Sequence, residues 1–263
     1  TGLPSLGVER LGLHWVGDLA LSAVLEVQSS SGEIVLELVK AGRRYQCTFD
    51  LAQGTAVLSI NGQGEFHPTA TTAVRCPGTY RVRFANMDRQ LTLWVNDRVV
   101  PFDAPTAYDA ADDVPQPTDL TPVGIASRGV QLRVDHLKVF RDLYYIATKE
   151  PMPNPMTDYD LSHRPLMTPE GIAQFLSDPA QWGAFAHRRS ADFHLDADQF
   201  LALGDNSAQS RDSRLWGSEY YVKRDLLIGK ALFIYWPHSW NEIPYVHVPF
   251  PFFPNFARMG LVR

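Results

Sequence analysis

A mainly β fold is what the sequence predicts, and three observations predict it. Residues 19 to 145 break into short runs rich in β-branched and aromatic residues. Several of these runs alternate apolar and polar residues with a period of two. Clusters of turn formers separate them at even intervals, with no helical period between. The pattern reads as an antiparallel β-sandwich followed by a smaller β-rich segment with one short helix.

The runs, in order, are LALSAVLEV from 19, EIVLELV from 33, RRYQCTFD from 43 and TAVLSI from 55. TYRVRFAN from 79, QLTLWVND from 90, PVGIAS from 122 and VQLRVDHLKVF from 130 complete them. In TYRVRFA the period of two sets Tyr80, Val82 and Phe84 on one face and Arg81 and Arg83 on the other. In LTLWV it sets Leu91, Leu93 and Val95 opposite Thr92 and Trp94. SSSGE, AQG, NGQG and CPG supply turns, and Asn96-Asp97 predicts a tight hairpin.

Residues 103 to 122 carry Asp103, Asp109, Asp112, Asp113 and Asp119 among Pro and Ala. Their spacing fits no calcium loop, so they are expected to be a solvated acidic loop. Residues 148 to 165 are rich in Pro and polar residues and read as a linker. A helix follows: Thr168 is suited to the N-cap, Pro169 to the first helical position and Glu170 to the first turn. It would turn Ile172, Phe175 and Leu176 inward, with a second helical turn through PAQWGAFAHRR. QFLALGD and DLLIGKALFIYW, on either side of a dense polar loop, read as strands.

Composition excludes several functions. The 263 residues are 45% hydrophobic and 20% charged, which is globular. A formal net charge of -5 without a basic tract argues against nucleic acid. No apolar run approaches the ~18 residues of a membrane span. The two cysteines, Cys47 and Cys76, read as small buried hydrophobes in preference to a disulfide. No Cys or His spacing predicts a metal site, the eight histidines read as ordinary surface or core residues, and no cofactor is expected. Trp15 and Trp94 read as packing residues before a sugar-stacking platform. The aromatic stretch from Phe250 to Phe256 suits a membrane interface and the underside of a domain equally.

The dense loop is GDNSAQSRDSRLWG, residues 204 to 217. Gly204 allows close approach of another segment, and Asp205 and Asn206 are turn formers. Asp212 and Arg214 lie two apart and are placed to pair, leaving Ser210 as a hydroxyl in a fixed loop. Ser213, beside Asp212, has no base placed by sequence to activate it and reads as structural.

This loop, with Gly229, Lys230 and Ala231 beyond it, resembles the last conserved segment of signal peptidase I, the bacterial Ser/Lys endopeptidases. The resemblance implies that Ser210 orients a catalytic lysine and that Asp212 and Arg214 form a supporting ion pair, with Gly204, Asp205 and Asn206 shaping the loop. Such a lysine acts as general base only when burial depresses its pKa. The family's Ser-Met-x-Pro nucleophile segment and its Lys-Arg general-base segment do not occur in these 263 residues. Residues 8 to 146 are similar to the concanavalin-like and laminin-G-like jelly rolls, through GTYRVRFANMDRQLTLWVNDRVV and the returning VGIASRG…LRVDHLKVF.

The expected organisation is therefore a sandwich inserted at 8–146, a linker at 147–166, and the C-terminal portion of a signal peptidase catalytic β-domain at 167–263. The chain opens on Thr1, which fits a cut product with the missing segments upstream. The resemblance implies a parent that cleaves the signal-peptide region of preproteins at the outer face of the bacterial cytoplasmic membrane, touching the membrane surface. By itself this chain is expected to be inactive, with its Ser210 loop exposed or misarranged. The alternative is a non-catalytic module whose sandwich binds carbohydrate or protein.

Overall fold

The computed structural model describes residues 14–109, 114–147, 158, 169–204, 210–235, 239–243 and 248–261. They belong to two compact units, one from Thr1–Asp192 with Leu203–Gly217, the other from Phe193–Ala202 with Ser218–Arg263.

The first unit is built on a β-sandwich. Strands β1 (Leu19–Val27), β2 (Glu33–Lys40), β3 (Arg43–Asp50), β4 (Thr55–Ile60) and β5 (Thr69–Thr71) are followed by β6 (Gly78–Met87), β7 (Gln90–Val95), β8 (Arg98–Val99), β9 (Val123–Arg128) and β10 (Leu132–Arg141). They form two five-stranded antiparallel sheets, ordered β10-β1-β6-β7-β8 and β5-β4-β3-β2-β9. Alternation decides the core. Tyr80, Val82 and Phe84 of β6 are buried while Arg81 and Arg83 are exposed, and Leu91, Leu93 and Val95 of β7 are buried beside half-buried Thr92 and Trp94. From the facing sheet Ile34, Leu36, Phe49 and Leu58 meet them with no exposed surface. Asn96 and Asp97 both take positive φ, 51° and 63°, as a two-residue hairpin between twisted strands requires.

Three expectations change here. Cys47 is buried but Cys76 is exposed, and both thiols are free. The acidic loop is not simply solvated. Asp119 accepts hydrogen bonds from the backbone N–H groups of Ala41 and Gly42 at 2.9 and 2.8 Å, and Asp103 accepts one from Thr69 at 2.7 Å. These carboxylates satisfy donors that a turn and a short strand leave open. Trp94 stands on the outer face of its sheet rather than in packing, with the Arg83 guanidinium 5.9 Å from its ring centre.

Beyond β10 a small aromatic cluster completes the unit. Helix α1 (Pro169–Ser177) and a 3-10 turn over Pro179–His187 bury Phe175, Trp182 and Phe185, and half-buried Leu176 packs on them. Thr168 and the side chain of Ile172 lie outside the described residues. Trp15 packs edge-on against Phe185 at 6.0 Å, as its reading as a packing residue expects. The Trp182 indole N–H donates to the Phe175 carbonyl at 3.0 Å.

In the second unit the strands are short. QFLALGD contributes only β11 (Gln199–Phe200), paired with β12 (Val222–Lys223). DLLIGKALFIYW begins in a 3-10 turn over Arg224–Leu226 and forms only β13 (Phe233–Ile234), which pairs with β16 (Gly260–Leu261). Strands β14 (Trp240–Ile243) and β15 (Val248–Phe253) make a further hairpin. Apolar sequence predicts extended chain, but a strand also needs a neighbour to take its hydrogen bonds. Among the described residues Leu226, Leu227, Ile228 and Leu232 pair with none and are exposed. No helix among the described residues is long and apolar enough to cross a membrane.

Phe84 fills the centre of the sandwich with no exposed surface. Phe84→Ala is expected to lower the free energy of unfolding by about 3–5 kcal/mol, read from the urea midpoint at unchanged slope. His14 stacks on Tyr144 with ring centres 4.3 Å apart. Burial, opposed by Asp158 and reinforced by Arg141, lowers its pKa to about 4. A histidine kept neutral in the fold contributes its stability fully above its ordinary value near 6.5 and loses it as pH falls toward 4. His14→Phe, which keeps the stacking, is expected to flatten the stability profile across that window in urea melts.

Candidate functional site

The motif loop is organised by one buried ion pair. The Asp212 and Arg214 side chains are 5% and 4% exposed and lie 2.8 Å apart. Arg214 presents its fork: Nε donates to Oδ1 of Asp212 and Nη2 to Oδ2, each at 2.8 Å. The same carboxylate accepts the backbone N–H of Arg214 at 3.3 Å, which caps a 3-10 turn over Ser213–Leu215. Its Oδ2 also accepts the N–H of Gly204 at 3.0 Å. Burial tends to raise the Asp212 pKa, but the hydrogen bonds from Arg214 and Gly204 outweigh it and hold the carboxyl below its ordinary value.

Arg214 also reaches out of the motif. Its Nη1 donates to the carbonyl of Ile146 at 2.9 Å, and its guanidinium lies 5.3 Å from the centre of the Tyr145 ring. Residues 144 to 147 leave the last sandwich strand, and Ile146 is buried. On the other side of this segment buried Asp158 accepts the N–H of Ala147 at 2.9 Å and the Tyr144 hydroxyl at 2.9 Å. The sandwich exit is thus gripped by Arg214 and by Asp158. Neither grip is legible in sequence, because a backbone carbonyl and a backbone N–H carry no residue signature.

Gly204 explains itself by contact. A Cβ built on it would stand 2.1 Å from Oγ and 2.8 Å from Cβ of Ser210. Only glycine lets the Ser210 side chain come this close to the chain, and Ser210 is half-buried. Asp205 and Asn206 lie outside the described residues. Trp216 closes the loop by donating its indole N–H to the Arg211 carbonyl at 2.8 Å, and Gly217 follows with φ +81°. Ser213 is fully buried. Asp212, Ser213 and Arg214 are buried, with Asp212 and Arg214 joined by their own hydrogen bonds; Ser210 is half-buried, and residues 205–209 lie outside the described residues. Gly229, Lys230 and Ala231 belong to the second unit, where all three are exposed.

Comparison with known proteins places the chain. The family described as "Signal peptidase, peptidase S26" matches residues 89–236, more than half of the 263, and the chain belongs to that family. A signal peptidase I from Leptolyngbya laminosa is 51% identical over 43 residues, which are 16% of this chain and 20% of that protein. The match therefore spans about a fifth of that relative's length. Among solved structures, the galectin LEC-6 of Caenorhabditis elegans is 13% identical, covering 47% of this chain and 84% of its own, with a TM-score of 0.33. A tetrameric galectin from the sponge Cinachyrella is 19% identical over 47% of this chain and 92% of its own, also at 0.33. Likenesses at that level say nothing about a ligand.

Three substitutions and one control test the site as built. Gly204→Ala is expected to displace the Ser210 side chain and lower the melting temperature, whereas Gly183→Ala, where a Cβ meets nothing within 4 Å, is expected to be harmless. Arg214→Met leaves a carboxylate buried without its partner and is expected to cost about 3–5 kcal/mol. The Asp212 contribution is full above the ordinary carboxylate value and is lost as pH falls through its lower folded value. Asp212→Asn is therefore expected to remove stability at neutral pH and to lessen its fall at acid pH, both measured by urea titration.

Proposed function

We propose that this chain is the C-terminal portion of a signal peptidase I and supplies the supporting third of a Ser/Lys peptidase site. The observation that carries the reading is the buried turn of the motif, in which Asp212 pairs with Arg214, with Gly204 leaving room for the Ser210 side chain. In this reading the Ser210 hydroxyl accepts or donates a hydrogen bond to a neutral lysine and aims it, while the ion pair fixes where Ser210 stands. The nucleophilic serine and the lysine are not supplied by this chain, whose sequence has no Ser-Met-x-Pro segment. The complete enzyme would cleave the signal-peptide region of exported preproteins at the outer face of the cytoplasmic membrane. The exposed apolar run at Leu226, Leu227, Ile228 and Leu232 supports it, because such residues suit burial against further β-structure or a membrane surface.

The test is turnover of a peptide spanning a preprotein cleavage site. The 263-residue chain alone is expected to give none. Added to a signal peptidase I fragment that carries the Ser-Met-x-Pro and Lys-Arg segments, it is expected to restore cleavage, and Ser210→Ala to reduce the restored rate by about 10²-fold, the low end for a group that assists a general base. Cleavage by the chain alone, abolished by Ser210→Ala or Ser213→Ala, would overturn the reading.

A second role for the sandwich, that of a binding module for carbohydrate, is favoured by a cleft on the outer face of the β10-β1-β6-β7-β8 sheet. It measures about 310 Å³ and is lined by Trp94 among charged side chains.

A further inference from the structure

We propose that this cleft binds an acidic oligosaccharide, one whose ring packs beside Trp94 and whose carboxylate or sulfate pairs with Arg83 and Lys138. The proposal rests on the reading of the sandwich as a saccharide-binding module and adds the class of ligand.

The strand register builds the cleft. Lys138, Ser22, Arg83 and Trp94 stand side by side across β10, β1, β6 and β7. The neighbouring row in the cleft is Val24 and Arg81, with His136 beside them. The short side chains of Ser22 and Val24 on β1 leave room between the longer ones that β10 and β6 contribute. Arg81 is already neutralised, donating to Asp97 from Nε at 3.0 Å and from Nη2 at 2.7 Å. Arg83 and Lys138 are different: among the described residues neither has a carboxylate within ion-pair distance, although the chain carries a net charge of -5. The Arg83 guanidinium is held between two rings, 5.9 Å from the centre of Trp94 and 5.8 Å from that of Phe140. Those contacts use its faces and leave its planar set of N–H donors for an acid group.

A β-bulge sets this arrangement. The register of β1 against β10 shifts between Ser22 and Val24, and His136 takes φ 53° inside the strand. Without the extra residue the alternation would carry Leu137 to the position opposite Ser22 and turn Lys138 to the other face of the strand. The bulge instead brings Lys138 onto the outer face with Arg83 and Trp94, and His136 beside it at the rim of the cleft.

The place of the cleft selects among anionic ligands. Strands β1 and β6 each pair on both sides, so their backbone groups are spent and a peptide has no edge to extend there. Recognition falls to side chains, and an indole beside paired cations suits a sugar ring bearing an acid group. An acidic peptide or a lipid headgroup would supply the charge without a flat ring for Trp94.

Calorimetric titration of the 263-residue chain with trigalacturonate and with a sulfated disaccharide tests the proposal. Cellotriose, a tetraglutamate peptide and phosphatidylglycerol vesicles serve as the other arms. At least one acidic saccharide is expected to bind, more weakly as salt rises, and R83Q/K138Q to weaken it at least tenfold, roughly the loss of one charge-assisted contact. Lys138 is exposed, so K138Q alone carries the test if the double variant melts early, and it is expected to weaken binding measurably. Cellotriose binding that depends on Trp94, with no preference for the acidic saccharides, would overturn the acidic specificity and leave the module reading standing. No saccharide binding at all would overturn both. Binding of the peptide or the vesicles as tightly, with the same dependence on Arg83 and Lys138, would show a general anion surface and overturn the proposal.

Discussion

The Asp212–Arg214 pair is the constraint on which the arrangement of the motif depends. Removing two charges from water is costly, and such a pair holds only if nearly every lone pair and N–H finds a partner. Here they do. The carboxylate takes both arms of the guanidinium, the N–H of Gly204 and the N–H that opens its own turn. The remaining arm of Arg214 takes the Ile146 carbonyl. One ion pair therefore ties together the chain entering the motif, the motif itself and the segment leaving the sandwich.

That closure orders the turn at 212–215 through its own groups. Gly204 leaves room for the Ser210 side chain, and its own N–H is held by Asp212. The sandwich follows a similar logic on its outer face, where the bulge at His136 accepts local strain and decides which side chains share the cleft. In both places backbone geometry sets the position of the polar groups.

How much was legible depended on the range of the interaction. The alternation in TYRVRFAN and LTLWV is a property of single strands, so the buried and exposed faces of β6 and β7 followed from it directly. The spacing of Asp212 and Arg214 is also local, and their pairing followed. DLLIGKALFIYW misled because its apolar content signals extended chain without specifying a strand to pair with. Cys76 misled because composition carries no burial at a turn. The caps made by Asp103 and Asp119 join residues distant in sequence, and no window over the acidic loop contains their partners.

The sequence by itself determined the strands of the sandwich, the Asn96-Asp97 hairpin, the helix after Pro169 and the identity of the motif, because each is a local pattern of propensity, period or spacing. Only the tertiary structure decided that Arg214 holds the sandwich exit through Ile146, that Gly204 exists to admit Ser210, and that Lys138, Arg83 and Trp94 share one face. Those depend on strand register, on a bulge and on backbone carbonyls, which are fixed when distant segments pack and leave no mark on the residues that supply them.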